Sequence, residues 1–215
     1  VASKQRLNTK LISFAGKKIA SGGSFDSKGQ LKDKDHLVIT PDNAEKMKKI
    51  VTASKFTVSD ISSRPYTRKP PPPYTTATFQ QDVGTRYHLS SKNAMSIAQK
   101  LYEESLITYI RTDSVFISPE AITSARKTAV QLFGKDSIPA KPRVYKAKGK
   151  AQEAHEAIRV TLDDKGNMLS PSSLSRKLAS IDPKAKDVYT AIYNRTIASQ
   201  MNDAKGWTTT VKIES

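Results

Sequence analysis

The sequence has no cysteine, no long apolar run and few aromatic residues. The absence of cysteine from its 215 residues excludes a disulfide framework, cysteine-ligated zinc and thiol catalysis. No run approaches the roughly 18 apolar residues of a membrane-spanning helix, so we expect no membrane partner. Aromatic residues make up 7% of the chain, which predicts a hydrophobic core with few aromatic side chains. The chain begins at Val1 without methionine and resembles neither a signal nor a transit peptide, so we expect a fragment of a longer protein.

Acidic residues are scarce relative to basic ones. The chain has 36 Lys and Arg against 20 Asp and Glu, a net charge of +16, which indicates a polyanionic partner such as a nucleic acid. Residues 67–150 carry 14 basic and 6 acidic side chains, whereas residues 151–215 carry 9 and 8. The densest basic run, residues 135–150, contains proline and glycine and is predicted to be a loop. A run of this kind is more often only a solvated surface.

The first 66 residues are predicted to form mainly strands and turns. Short runs of β-type residues bounded by turn formers indicate strands at Leu11–Phe14, Leu37–Thr40 and Phe56–Ser59. Ala44–Val51 is predicted to be a helix capped by Asp42. The proline tract Lys69–Pro73 fits neither a helix nor a central strand, so we expect a domain boundary there.

Beyond the proline tract the spacing of apolar residues becomes helical. The pattern predicts helices over Thr75–Tyr87, from Ser91, from Ser118 and after Asp182. The last β-type run, Trp207–Ile213, is expected to pair with the N-terminal part. We therefore predict an α+β fold in which residues 1–66 and 203–215 form a β-rich domain and residues 67–202 form an inserted, mostly helical domain.

A tyrosine and an arginine lie close together in Leu106–Ser114. An extended segment would place Tyr109 and Arg111 on one face, with Asp113 near its end. A phenol with a pKa of about 10 is a useful nucleophile at neutral pH only if a cation stabilises its phenolate. Arg111 is placed to do this or to bind the phosphate under attack. An ordinary aromatic residue on a surface strand explains the same spacing, and spacing alone favours that alternative.

A second polar cluster surrounds a histidine in Ala151–Arg159. At helical spacing, Gln152, His155 and Arg159 share one face and offer hydrogen-bond donors. A zinc-protease helix would need a second histidine at position 159, where arginine stands, so the pattern excludes that kind of metal site. An inert surface histidine is the alternative interpretation.

Three motifs follow one another between residues 72 and 159. They read PPYTTATFQQ at 72–81, ITYIRTDS at 107–114 and QEAHEAIR at 152–159. In order and approximate spacing they resemble the motifs of type IA DNA topoisomerases, those of the bacterial topoisomerase I group in particular. The resemblance implies a β-rich arch domain and an inserted helical domain similar to a winged helix. Val160 and Ile110 stand where the family commonly has proline and methionine.

The resemblance implies a role for each matched residue. Tyr109 would attack a single-strand phosphodiester and become joined to its 5′ phosphate, and Arg111 would assist at that phosphate. The whole enzyme would relax negatively supercoiled DNA by cleavage, strand passage and religation without ATP. The expected DNA contacts are Thr75, Thr78, Gln81, Asp113, Ser114, Lys146, Lys148, Lys150, Gln152, His155 and Arg159, the last two on a DNA-contacting helix.

The acidic magnesium site of the family has no counterpart in this sequence. That site lies in a Toprim domain and needs a glutamate and an Asp-x-Asp-x-Glu run. The only Asp-x-Asp here is Asp33-Lys34-Asp35, and position 37 is leucine. We therefore expect this chain to bind no cofactor, and Mg²⁺ to be held by the Toprim domain of the full-length enzyme. The fragment alone is expected to bind DNA but not to relax it.

The implied partners are DNA, preferably single-stranded, and the remaining domains of the same enzyme. The implied location is the bacterial cytoplasm, at the nucleoid. The alternative from another functional class is a non-catalytic basic module that binds single-stranded nucleic acid, in which Tyr109 only stacks on a base.

Overall fold

The computed structural model describes residues 8–145 and 155–215. Helices and strands are both present, which confirms the predicted α+β class. The chain divides into two compact units, one of residues 1–63 and 209–215 and one of residues 64–208. The domain boundaries inferred from the proline tract, and the arch and winged-helix types, stay predictions.

The first unit contains a small sheet and one helix. The strands β1 (Ser13–Phe14), β2 (Lys17–Ile19) and β3 (His36–Leu37) form the sheet in that order, with β1 antiparallel and β3 parallel to β2. Helix α1 spans Pro41–Ala53. Its cap is Thr40 and not Asp42 as predicted, because proline occupies the first helical position and Thr40 exchanges hydrogen bonds with Asn43.

A two-stranded antiparallel ribbon is formed by β4 (Thr57–Arg68) and β5 (Ala204–Glu214). The C-terminal run therefore pairs with the N-terminal part, as predicted. Strand β4 extends well beyond the predicted Phe56–Ser59, because β5 supplies backbone partners along it. The hydroxyl oxygens of Ser63 and Thr209 lie 2.8 Å apart across the ribbon.

The second unit contains five α-helices among its described residues. They are α2 (Thr76–Tyr87), α3 (Ser91–Glu103), α4 (Pro119–Phe133), α5 (Ser175–Ile181) and α6 (Ala185–Ala198). The hydroxyl oxygens of Thr75, Ser90 and Ser118 accept backbone amides at the starts of the first three, which confirms these predicted starts. Helix α5 was not predicted, because only Leu178 within it is buried.

The core of the second unit lies around α6. This helix buries Val188, Tyr189 and Ile192, and it packs against α2, α3, α4 and α5. Phe79 and Val83 of α2 and Leu101 of α3 are fully buried in the same core. No helix in the part of the chain that the structure describes is long and apolar enough to cross a membrane.

The segment from His155 to Val160 is extended, so the helix predicted over Ala151–Arg159 is wrong for this part. Ile158 forms an antiparallel bridge with Tyr74, and Val160 forms one with Ile107. Ile158 and Val160 are fully buried. The segment pairs through its backbone with the segments around Tyr74 and Ile107. This long-range pairing outweighs the helical spacing of its own residues. Gln152 and the first part of the motif lie outside the described residues.

Candidate functional site

A pocket of about 430 Å³ lies where the start of α2 meets the segment after Tyr109. Its lining residues are Thr75, Thr76, Ala77, Arg111, Thr112, Asp113 and His155. Three separate motifs of the sequence therefore meet in one place. Thr75, Arg111, Asp113 and His155 were expected from the sequence to contact DNA or its phosphate, whereas Thr76, Ala77 and Thr112 were missed.

Thr76 holds two walls of this pocket together. Its amide donates to the carbonyl of Thr112 at 2.9 Å, and its hydroxyl donates to the carbonyl of Ile110 at 2.7 Å. The amide of Thr112 donates back to the Thr76 hydroxyl oxygen at 2.9 Å. The paired threonines of the first motif could have indicated these hydrogen bonds, since threonine hydroxyls at helix starts commonly bond to backbone groups.

Side chains from residue 109 to 114 alternate between exposed and buried. Tyr109, Arg111 and Asp113 are exposed, and Ile110, Thr112 and Ser114 are buried. This agrees with the shared face expected for Tyr109 and Arg111, and Asp113 is exposed on the same side. Ser114 is only 4% exposed, and its hydroxyl oxygen accepts the amide of Phe116 at 3.1 Å. The geometry gives Ser114 a structural role and does not support the DNA contact expected for it.

The ring of Tyr109 is 44% exposed and packs edge to face on Tyr102 of α3. The ring centroids are 5.5 Å apart and the planes meet at 66°. The Tyr109 hydroxyl has no hydrogen-bond partner among residues 8–145 and 155–215. Tyr109 therefore packs on one neighbouring ring while its oxygen is available, two residues from the pocket-lining Arg111.

His155 and Arg159 are placed differently from each other. His155 is exposed and lines the pocket, whereas the Arg159 side chain is 11% exposed. The Arg159 guanidinium pairs with Glu156 at 2.6 Å and donates to the carbonyl of Val160 at 3.0 Å. Glu156 also accepts the amide of Ser118 at 2.6 Å. Arg159 thus joins parts of the fold, and the DNA contact and shared helical face expected for it are not supported.

The other expected DNA contacts are dispersed. Thr75 and Thr78 cap α2 reciprocally, with the Thr75 amide donating to the Thr78 hydroxyl oxygen at 2.9 Å. Thr78 and Gln81 are exposed but do not line the pocket. The contacts expected at Lys146, Lys148, Lys150 and Gln152 lie outside the described residues.

A charged cluster behind the start of α2 was missed by the sequence analysis. The Tyr74 hydroxyl donates to Asp82, which also pairs with Arg86 at 3.1 Å and Arg195 at 3.2 Å. The guanidinium of Arg195 lies 4.2 Å from the centre of the Tyr74 ring. Burial and the hydrogen bond to Asp82 raise the pKa of Tyr74. Burial opposes ionisation of Asp82, but the hydrogen bonds from Tyr74, Arg86 and Arg195 outweigh it and lower its pKa.

The residues that the structure describes do not fit a magnesium site. Among residues 8–145 and 155–215, no three His, Asp or Glu side chains lie close enough together to hold a metal ion. Asp113 is the single carboxylate among the residues lining the pocket. One carboxylate is a poor site for Mg²⁺, which is usually held by carboxylates together with phosphate oxygens.

Comparison with known proteins places this geometry in a family. The sequence profile of the DNA topoisomerase family matches residues 10–215. DNA topoisomerase 1 of Mycolicibacterium smegmatis is 40% identical over 99% of this chain, and that of Synechocystis is 38% identical over 94%. The chain spans 22% of the length of each of these relatives.

A solved structure gives the same result. The full-length topoisomerase I of Thermotoga maritima matches 86% of this chain with a TM-score of 0.61 and 28% identity, and the match covers 29% of that protein. The resemblance inferred from the three motifs is thereby confirmed. The chain belongs to the DNA topoisomerase family, and the relatives that it matches are bacterial type I enzymes.

Proposed function

We propose that Tyr109 is the nucleophile of a type IA topoisomerase reaction on single-stranded DNA. The observation that carries this proposal is an exposed phenol two residues from a pocket that contains Arg111 and His155. A phenol whose ring packs on a neighbour and whose oxygen is open to an incoming group is suited to attack a phosphate bound beside it.

The pocket has the chemistry of a phosphate site. Arg111 supplies a permanent positive charge and a planar set of donors, which suits the oxygens of a phosphodiester. His155 adds a donor on the same pocket, and the first turn of α2 places the positive end of the helix dipole there. These groups would also stabilise the charge that builds on the phosphate oxygens in the transition state.

The reaction conserves the energy of the DNA bond. The bond that forms joins the Tyr109 oxygen to phosphorus, and the bond that breaks joins that phosphorus to the 3′ oxygen of the neighbouring nucleotide. The phenol loses its proton and the departing 3′ oxygen takes one up. The reverse attack by the 3′ hydroxyl reseals the strand, so no ATP is consumed.

We extend this proposal to the whole enzyme, of which the chain corresponds to about a fifth in its relatives. The enzyme would relax negatively supercoiled DNA by cleavage, strand passage and religation. Mg²⁺ would be held by its Toprim domain, since the residues described here do not fit that ion.

The test is Tyr109→Phe in the full-length enzyme. We expect loss of the covalent protein–DNA adduct with single-strand binding nearly unchanged, because only the attacking oxygen is removed while the ring is kept. Adduct formation is measured on a labelled oligonucleotide under denaturing conditions. The matched control is Tyr102→Phe, which removes a hydroxyl from the ring packed against Tyr109. Adduct within tenfold of the parent in Tyr109→Phe would contradict the proposal.

Adding Tyr109→Ala to these variants tests the alternative, a binding module in which Tyr109 only stacks on a base. The 44% exposure of the ring is compatible with stacking. A stacking module would form no adduct in the parent enzyme either, and Tyr109→Ala would lower affinity where Tyr109→Phe would not.

A further inference from the structure

The end of the β4–β5 ribbon that belongs to the second unit carries exposed aromatic and basic side chains. We call residues 64–68 and 204–208 the aromatic ribbon. Tyr66 is 48% exposed and Trp207, the single tryptophan of the chain, is 70% exposed. The core of the second unit covers neither ring, so packing within that core does not explain them.

Tyr66 lies over a glycine on the opposite strand. A Cβ atom added to Gly206 would come within 2.7 Å of the Tyr66 ring and its hydroxyl oxygen. Glycine is therefore required at position 206 for this close approach. The ring is supported by the backbone of β5 on one side and is open on the other.

The same face of the ribbon carries two arginines. Strand side chains alternate, so Arg64 and Arg68 point to the same side of β4 as Tyr66. Both are exposed, and neither forms an ion pair within the part of the chain that the structure describes. Their Cα atoms are about 13 Å apart along the strand. Trp207 and Lys205 lie on the other face, and no acidic residue occurs at 64–69 or 204–208.

We propose that the Tyr66 face of the aromatic ribbon binds single-stranded DNA, with one base stacked on Tyr66 and the adjoining phosphates bound by Arg64 and Arg68. The charge of the face decides the occupant. Positive charge flanking an open ring is the combination that single-strand binding surfaces use, because every base has a stacking face and every linkage has a negative charge. The identification of DNA as the ligand rests on the proposed function, but the site is separate from the Tyr109 pocket.

A binding measurement on the 215-residue chain tests this site. The probe is a fluorescently labelled oligothymidylate, and the readout is fluorescence anisotropy. Tyr66→Ala is expected to weaken binding about tenfold, in the range for loss of one base stack. Tyr66→Phe should bind within about twofold of the parent, because it keeps the ring. Tyr66→Leu keeps an apolar cover on Gly206 without an aromatic face, so it should weaken binding like Tyr66→Ala while its melting temperature stays close to the parent's.

Matched controls separate this site from a general aromatic effect. Phe133 at the end of α4 is 61% exposed, and Phe133→Ala should leave the affinity unchanged. Arg64→Ala and Arg68→Ala should each flatten the log–log salt dependence of binding by about 0.7, the value for one phosphate on a single strand. Binding to a duplex of the same length should depend on Tyr66 much less, because paired bases are not free to stack.

Three outcomes would overturn the proposal. They are an unchanged affinity in Tyr66→Leu, an equal loss in Phe133→Ala, and no measurable binding by the parent chain. None of these outcomes depends on the phenol of Tyr109. The adduct assay on the full-length enzyme therefore tests the proposed function independently of this site. An adduct that forms normally in a full-length Tyr66→Leu enzyme with weakened strand binding would support both proposals.

Discussion

Two arginines near the pocket have opposite surroundings. Arg111 is exposed and lines the pocket, whereas Arg159 is held by Glu156 and by the carbonyl of Val160. A guanidinium with free donors can bind a phosphate, but one with internal partners would first have to give them up. We therefore expect Arg111, and not Arg159, to contribute affinity by binding a DNA phosphate.

We predict that Arg159→Ala lowers the free energy of unfolding of the chain by about 1 to 3 kcal/mol, because it leaves Glu156 partly buried without its partner. Urea unfolding measures this. Arg111→Ala serves as the control and should change stability by less than about 0.5 kcal/mol, as surface substitutions usually do. The affinities for single-stranded DNA should follow the reverse order. Arg159→Ala that is fully stable but binds poorly would restore the role first expected for it.

At the scale of elements, the helix starts were what the sequence predicted best, because capping residues mark them. Hydroxyl residues ahead of α2, α3 and α4 are local signals, so their starts could be predicted to within a residue. The segment 155–160 could not, because its extended form depends on pairing with Tyr74 and Ile107, which are distant in sequence. The alternation of exposed and buried side chains around Tyr109, Arg111 and Asp113 could be predicted from the sequence. The closure of the pocket by Thr76 could not, because it depends on residues that only the tertiary structure brings together.

Tyr74, Asp82 and Arg195 link the start of α2 to α6. The pKa of Asp82 is lowered on folding, so the unfolded chain binds its proton more readily than the folded one. The stabilisation by Asp82 is therefore complete above the unfolded pKa of about 3.9 and is lost as pH falls through the folded value.

We predict that Asp82→Asn is less stable than the parent at neutral pH and that this difference shrinks as pH falls below about 4. Denaturant unfolding at a series of pH values measures it. Asp203→Asn is a suitable comparison, since Asp203 pairs with Arg143 at a similar exposure but makes no hydrogen bond or ion pair with α2 in the described part of the chain. Only Asp82→Asn should also weaken DNA binding, because only that cluster supports the start of α2. Equal effects of the two variants on binding would show that the cluster has no specific connection to the pocket.

At the scale of the whole molecule, the chain holds the proposed nucleophile but no described cluster of carboxylates for a metal ion. We predict that the purified 215-residue chain neither relaxes supercoiled DNA nor cleaves it appreciably, because phosphoryl transfer needs charge stabilisation that a metal site would supply. Agarose gels of supercoiled plasmid test relaxation. A covalent protein–DNA band that appears when the Toprim domain and Mg²⁺ are added would support the proposal that this chain supplies the nucleophile and the Toprim domain supplies the metal site. Relaxation by the chain alone would contradict it.

The net charge of +16 gives a prediction about the mode of binding. The chain should prefer single-stranded DNA to a matched duplex, with a log–log salt slope near −0.7 for each phosphate neutralised. Changing Lys146, Lys148 and Lys150 together to alanine should flatten the slope by up to about 2 units if this run takes part. Titrations at several salt concentrations measure both. A flat salt response of the parent chain would mean that its positive charge does not bind DNA.

The hydrogen bonds of Thr76 have a consequence for how a strand end would be handled. They join the first turn of α2 to the backbone on either side of Arg111, so they restrain the tyrosine segment against the helix start. A covalently held 5′ phosphate would then travel together with the residues that bind it. In the proposed reaction, the strand end held by Tyr109 would keep its orientation relative to Arg111 for resealing, and a gap for a second strand would have to open elsewhere in the enzyme.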